Sequence, residues 1–119
     1  MGKIRTLSDI EEIERVPFVK RQFALSTYTM IRQSALTSPD RPALVFFPDG
    51  VHYRASIQVT YRQLLERIHQ VANMLSELGV GPTDVVSLLL PNLPQTHFAL
   101  WGAEAAGIVN PINPLLEAS

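Results

Sequence analysis

Cysteine is absent from this 119-residue chain, which excludes a disulfide framework, a thiolate nucleophile and any cysteine-ligated metal centre. Cations are missing from its second half: all ten Lys and Arg residues lie at or before Arg67, and Glu77, Asp84, Glu104 and Glu117 stand alone afterwards. Nucleic-acid binding needs clustered Lys and Arg to displace counterions, and phosphate chemistry recruits Arg, Lys or a metal held by carboxylates. Neither kind of partner is served after Arg67. The two lysines, Lys3 and Lys20, both fall in an N-terminal leader, so the globular part has no catalytic lysine. Long apolar runs are missing too. Asp9, Glu11, Glu12 and Glu14 interrupt the N-terminus, and no stretch approaches the ~18 apolar residues of a membrane span. These absences predict a cytoplasmic protein with no transmembrane segment and no nucleic-acid partner.

What is there is enough for one ordered domain: 46% hydrophobic and 18% charged residues exclude disorder. A mean hydropathy of +0.11 is apolar for a free-standing soluble domain and predicts burial against partners outside the segment. Ser8 and Glu11 have capping-box spacing, which predicts a short leader helix to about Arg15 with Ile10 and Ile13 on its apolar side. Ser26 or Thr27 can cap a second helix to about Leu36, with Tyr28, Ile31 and Ala35 inward and Met30 beside them. Pro39 and Pro42 stop it. The apolar run 43–47 then reads as a strand, Pro48-Asp49-Gly50 as a turn with Gly50 free to take positive φ, and 51–59 as the returning antiparallel strand.

Thr60 and Gln63 form a second capping box ahead of Leu64, Leu65, Ile68, Val71, Ala72, Leu75 and Leu78, which follow the 3.6-residue helical period. Gly79 suits a left-handed helix end, and Gly81-Pro82 prevents resumption. The run 85–90 lacks polar alternation apart from Ser87, which predicts a strand covered on both faces with Ser87 buried. Pro94 opens the next helix; Asn92 or Leu93 caps it, and Asn92 with Gln95 can pair reciprocally. Gly102, Ala103, Ala105 and Ala106 allow a close neighbour, Gly107 ends the helix, and 108–112 is a short strand. Residues 115–119 look like the start of a further helix.

The unit 85–114 is therefore βαβ, but the carboxyl end of its first strand holds Pro91-Asn92 where a phosphate site needs a glycine-rich turn or a cation. No catalytic residue is assigned, and no metal site: His52, His69 and His97 fall on different elements, without the i, i+4 spacing of a helical metal pair. His69 is expected in solvent. His97, Phe98 and Trp101 sit near the strand end where α/β sheets collect ligands, and are the candidate substrate-pocket residues; the same helical spacing also describes ordinary core. Asn92, Asn110 and Asn113, each beside a proline, are expected to close turns. Glu77, Asp84 and Glu104 belong to three elements and form no catalytic pair.

The order of phrases is more specific than any site: S-P-D-R-P-A-L-V at 38–45, V-T-Y-R-Q-L at 59–64, V-A-N-M-L-S-E-L-G-V-G-P-T-D at 71–84, L-L-P-N-L-P-Q at 89–95 and G-A-E-A-A-G-I-V-N-P-I-N-P at 102–114. This resembles the N-terminal portion of the AMP-forming acyl-CoA synthetases, within the adenylate-forming enzymes. The stretch P-N-L-P-Q-T-H-F-A-L-W-G-A-E-A-A-G resembles the ligases of fatty or related carboxylates. The resemblance implies an α/β fold, a partial helix-and-sheet N-terminal subdomain that is incomplete by itself. Residues 1–25 are then a leader and 26–119 the N-terminal part of the AMP-binding large domain.

It also implies a parent enzyme that joins a fatty carboxylate to ATP, with Mg2+, and passes the acyl group to coenzyme A. The family's phosphate loop, adenine motif, hinge and C-terminal-domain lysine come later in the chain, so none of these cofactors is expected to bind this segment alone. Its expected partner is the remainder of the parent chain, with self-association through uncovered faces when isolated. A noncatalytic α/β binding or assembly module complete in 119 residues is the alternative.

Overall fold

A computed structural model describes residues 4–20 and 25–115. The helix expected from 115 onward lies, beyond Leu115, outside them. Among the described residues four helices and four short strands follow in the order α1 (Leu7–Glu14), α2 (Thr27–Thr37), β1 (Pro42–Phe46), β2 (Ile57–Thr60), α3 (Tyr61–Glu77), β3 (Val85–Leu88), α4 (Pro94–Ala106) and β4 (Ile108–Pro111), with a 3-10 turn at Phe18–Lys20.

The leader helix begins two residues earlier than its sequence suggests. Thr6, not Ser8, is the cap: its hydroxyl accepts from Asp9 N–H, and the Asp9 carboxylate accepts from Thr6 N–H at 2.8 Å and Arg5 N–H at 2.9 Å. Thr6 is extended (φ −131°, ψ 162°), the conformation a cap requires, and these donors hold the Asp9 carboxyl below its usual range, that of Arg5 most strongly. Ser26 caps α2 as expected, and Ala35 is its buried residue, while Met30 is exposed.

α3 is closed at both ends, and the partners of its first N–H groups show how. Tyr61 N–H donates to Arg41 C=O, Arg62 N–H to Pro39 C=O and Gln63 N–H to the Thr60 hydroxyl, so the proline connector and the capping box together satisfy the first turn. At the other end Gly79 takes φ 90°, with Val80 N–H bonded to Leu75 C=O and Gly79 N–H to Ser76 C=O, a Schellman closure. Leu78, expected inward, is exposed because it is the capping residue of that turn.

The hairpin differs from expectation. β1 and β2 pair antiparallel, Leu44 with Val59 and Phe46 with Ile57, but 51–56 form turns, not strand. Asp49 is the cause: it accepts from the backbone N–H of Val51 and His52, both at 2.9 Å, and from His52 Nδ1–H at 2.7 Å, which folds the segment back on itself. The His52 backbone N–H, then its ring, holds the Asp49 carboxyl below its usual range. Gly50 has no positive φ, since local side-chain bonds and not a tight two-residue turn make the reversal.

β3 and β4 pair in parallel, Val85 with Ile108 and Ser87 with Asn110, across α4. β3 stops at Leu88, two residues short of expectation, and only one face is covered: Val86 and Val109 are half-buried, while Val85, Ser87, Ile108 and Asn110 are exposed. A two-stranded sheet with one helix layer has nothing to place on the other side. Ser87 is therefore not a buried residue; its hydroxyl accepts from Asn110 Nδ2 at 3.3 Å, so Asn110 bonds along the sheet and closes no turn. Asn113 does close one, accepting from Leu115 N–H at 3.0 Å.

Leu93 caps α4 without a side-chain bond, and the expected Asn92–Gln95 pair is replaced by a bond from the Thr96 hydroxyl to Pro91 C=O. The core lies where α4 crosses α3. Ile68 and Ala103 are fully buried, Leu64 nearly so, and Gly102 lets the helices meet backbone to side chain. A Cβ added at Gly102 would stand 2.5 Å from the Val71 Cβ.

Candidate functional site

The carboxyl end of β3 is the first place to look for chemistry in a βαβ unit. Here the chain leaves Leu88 through Leu89, Leu90, Pro91, Asn92 and Leu93 before α4 begins, and none of these carries a charge. The turn holds no glycine and no cation, so it does not fit the phosphates of ATP. No group of three or more His, Asp or Glu among the described residues is placed to hold a metal.

The residues proposed from sequence for a pocket are separated by the fold. His97 is half-buried in a small recess of ≈ 100 Å3 against Leu44, Val45 and Phe46 of β1 and the turn before α4. Phe98 instead lines a larger open cleft of ≈ 620 Å3, and Trp101, one turn further along α4, is half-buried and lines neither. Adjacent positions on a helix point about 100° apart, which is why His97 and Phe98 meet different surroundings.

That larger cleft is assembled from three parts of the chain. Phe46, Ile57 and Val59 come from the hairpin, Leu93 and Phe98 from the α4 end, and Gln63, Glu66 and Arg67 from the first turns of α3. Its lining mixes these apolar side chains with Gln, Glu and Arg. Arg67 donates through Nη1 to Gln70 Oε1 at 2.9 Å, which fixes the guanidinium on the helix surface. Sequence reasoning missed this grouping: Phe46 lies within the apolar run 43–47 and Arg67 within the helix behind Thr60, and only the hairpin packing on α3 brings them to one cleft.

A second cleft of ≈ 460 Å3 lies among α2, α3 and α4, lined by Tyr28, His69, Asn73 and Glu104. His69, expected to be merely solvated, is exposed yet forms a 2.9 Å hydrogen bond with Tyr28 OH, and the two rings stand 5.8 Å apart at 45°. This pairs α2 with α3. It serves as a link between helices.

Comparison with known proteins gives this partial fold its context. The profile of the AMP-binding enzyme family matches residues 31–119. The marinolic acid–CoA ligase of Pseudoalteromonas sp. is 34% identical over 114 residues, 95% of this chain and 17% of the relative's own length. Among solved structures, the fatty acyl-adenylate ligase from L. pneumophila, in complex with acyl adenylate and pyrophosphate, superposes with a TM-score of 0.66 at 31% identity, over 76% of this chain and 16% of that one. The acetoacetyl-CoA synthetase from Streptomyces lividans gives 0.65 at 35% identity, over 73% of this chain and 13% of that one. The chain thus spans about a sixth or less of the length of these relatives.

Proposed function

The chain belongs to the AMP-binding enzyme family, and on that premise we propose that it is the N-terminal scaffold of an ATP-dependent acyl-CoA ligase acting on a fatty carboxylate in the cytoplasm. The parent enzyme forms an acyl-adenylate with release of pyrophosphate, aided by Mg2+, and transfers the acyl group to coenzyme A. One observation carries the reading: the matched relatives are a CoA ligase, an acyl-adenylate ligase and a CoA synthetase, and all match through this same kind of segment. The turn after β3 does not fit the phosphates of ATP, and no group placed to hold a metal stands among the described residues, so no chemical step is assigned to them. Their role is to present the hairpin, the α3–α4 pair and the β3–β4 sheet to the rest of the enzyme. His97, Phe98 and Trp101 are proposed to contribute to the wall of the acyl site once that remainder is in place. No helix of the described residues is long and apolar enough to cross a membrane.

The test is pyrophosphate release from ATP, Mg2+ and a fatty acid. The 119-residue chain should give none above the blank, and the polypeptide extended through its reading frame to the length of its relatives should give acid-dependent release. Turnover by the short chain, or an extended protein inert toward every carboxylic acid supplied, overturns the proposal.

Isolated, the chain should also self-associate, because Val85 and Ile108 leave an apolar face open at 59% and 49% exposure. Light scattering should give a mass that rises with concentration. A monomer at every concentration, melting in one sharp calorimetric transition, counts against uncovered faces.

A further inference from the structure

α3 and α4 come together at Val71 and Gly102, and α2 packs against both helices. Where the three meet, the small side chains of Ala72 and Ala105 leave open the ≈ 460 Å3 cleft, a volume within the roughly 300–1,000 Å3 of sites that hold small organic ligands. Each helix contributes polar groups to its lining: Tyr28 from α2, His69 and Asn73 from one face of α3, and Glu104 from α4. The 2.9 Å bond between Tyr28 and His69 ties the two rings together, so this part of the wall stands ready before any ligand arrives.

Charge decides the ligand. Glu104 brings a carboxylate to the cleft, no lysine or arginine lines it, and Glu104 forms no ion pair among the described residues. The cleft beside the hairpin, by contrast, sets Arg67 against Glu66 and has no such excess. A ligand that satisfies the lining must pair with a carboxylate, lie on an aromatic face and donate to an amide oxygen. A guanidinium does all three: its N–H fork matches a carboxylate, its plane stacks on a tyrosine ring, and donors remain for the Asn73 amide oxygen. An alkylammonium offers neither the fork nor the plane.

We propose that the α2–α3–α4 cleft binds a guanidinium group, paired with Glu104 and lying against Tyr28. The group belongs either to a small guanidino compound or to an arginine of a peptide, and the chemistry that recognises it is the same. The site takes nothing from the proposed ligase chemistry, and it shares no lining residue with the recess of His97 or the cleft of Phe98.

Propylguanidinium and N-acetyl-arginine amide, titrated by NMR into the isotope-labelled chain at concentrations where scattering reports a monomer, should give saturable shifts at Tyr28, His69 and Glu104. Dissociation constants of about 1–10 mM are expected for so open a site. Equal affinities assign the cleft to small guanidino compounds, and tighter binding of the amide assigns it to peptide arginine. N-acetyl-citrulline amide, which has the same shape without the charge, should give no saturable shift. Glu104→Gln should weaken both probes about threefold or more, and Tyr28→Leu about two- to fivefold. Glu77→Gln, which alters an exposed carboxylate of α3 outside the cleft, should leave both unchanged. Glu104 is exposed and holds no ion pair, so its variant keeps the test decisive even if Tyr28→Leu fails to fold. The polypeptide extended to the length of its relatives should bind the same probes. The proposal is overturned by citrulline amide bound as tightly as arginine amide, by Glu104→Gln weakening binding no more than Glu77→Gln, or by no saturable shift. Binding that vanishes in the extended polypeptide overturns it too, since the cleft is then filled by the enzyme's own chain.

Discussion

Gly102→Val should cost the chain about 3 kcal/mol in urea unfolding, the upper part of the range for overpacked cores. The reason is positional. A Cβ there would stand 2.5 Å from the Val71 Cβ, 2.6 Å from its Cγ1 and 3.2 Å from the Ile68 carbonyl oxygen. Two of these atoms belong to a β-branched side chain with little rotamer freedom, and the third is helix backbone, so none can swing aside. The helices must separate, and the fully buried Ile68 and Ala103 lose their enclosure with them. The control lies in the partner: Val71→Ala, which removes Cγ1 and keeps Cβ, should recover about 1 kcal/mol or more in the Gly102→Val background, although alone it removes half-buried methyl groups. If the double variant is simply the sum of the two losses, contact with the Val71 Cγ1, the nearby atom that alanine removes, is not what makes glycine necessary.

Ile68→Ala should cost about 3–4 kcal/mol, since its side chain is 0% exposed between α3 and α4 and two firmly packed helices leave a cavity. Leu78→Ala, at the end of the same helix, should cost under about 0.5 kcal/mol, because Leu78 is 74% exposed. The two residues are alike in the helical repeat of the sequence. Equal losses would mean that the α3–α4 contact does not centre on Ile68.

That pair shows how far a sequence of this kind can be read. Local chemistry was legible: the Thr60–Gln63 box, the left-handed Gly79 and the proline at the first position of α4 each depend on residues within a few positions of one another, and the parallel βαβ order follows from the sequence of a strand, a helix and a strand. Legibility failed where two local solutions compete. The alternation of 51–59 fits a strand, but Asp49 offers backbone and imidazole donors a nearer acceptor, and the segment takes turns instead. At the leader, Thr6 with Asp9 and Ser8 with Glu11 share the same spacing, and only the first is formed. The apolar run after Asp84, broken only by Ser87, predicts cover on both faces, and here a single helix layer covers one. The cleft was invisible for another reason: Phe46, Phe98 and Arg67 come from elements that no short-range pattern connects. The family resemblance, by contrast, needed no geometry, because the phrases that carry it are contiguous.

The start of α3 sets a limit on how small a working piece of this protein can be. Two of its first three amide donors are answered by the carbonyls of Pro39 and Arg41, some twenty residues upstream, so the helix is completed by a stretch of chain outside itself. A piece begun after Pro42 keeps every residue of α3 and still loses the acceptors for Tyr61 and Arg62 N–H. The shortest excerpt that carries the helix whole must begin no later than Pro39, and the family match, starting at residue 31, already includes that boundary.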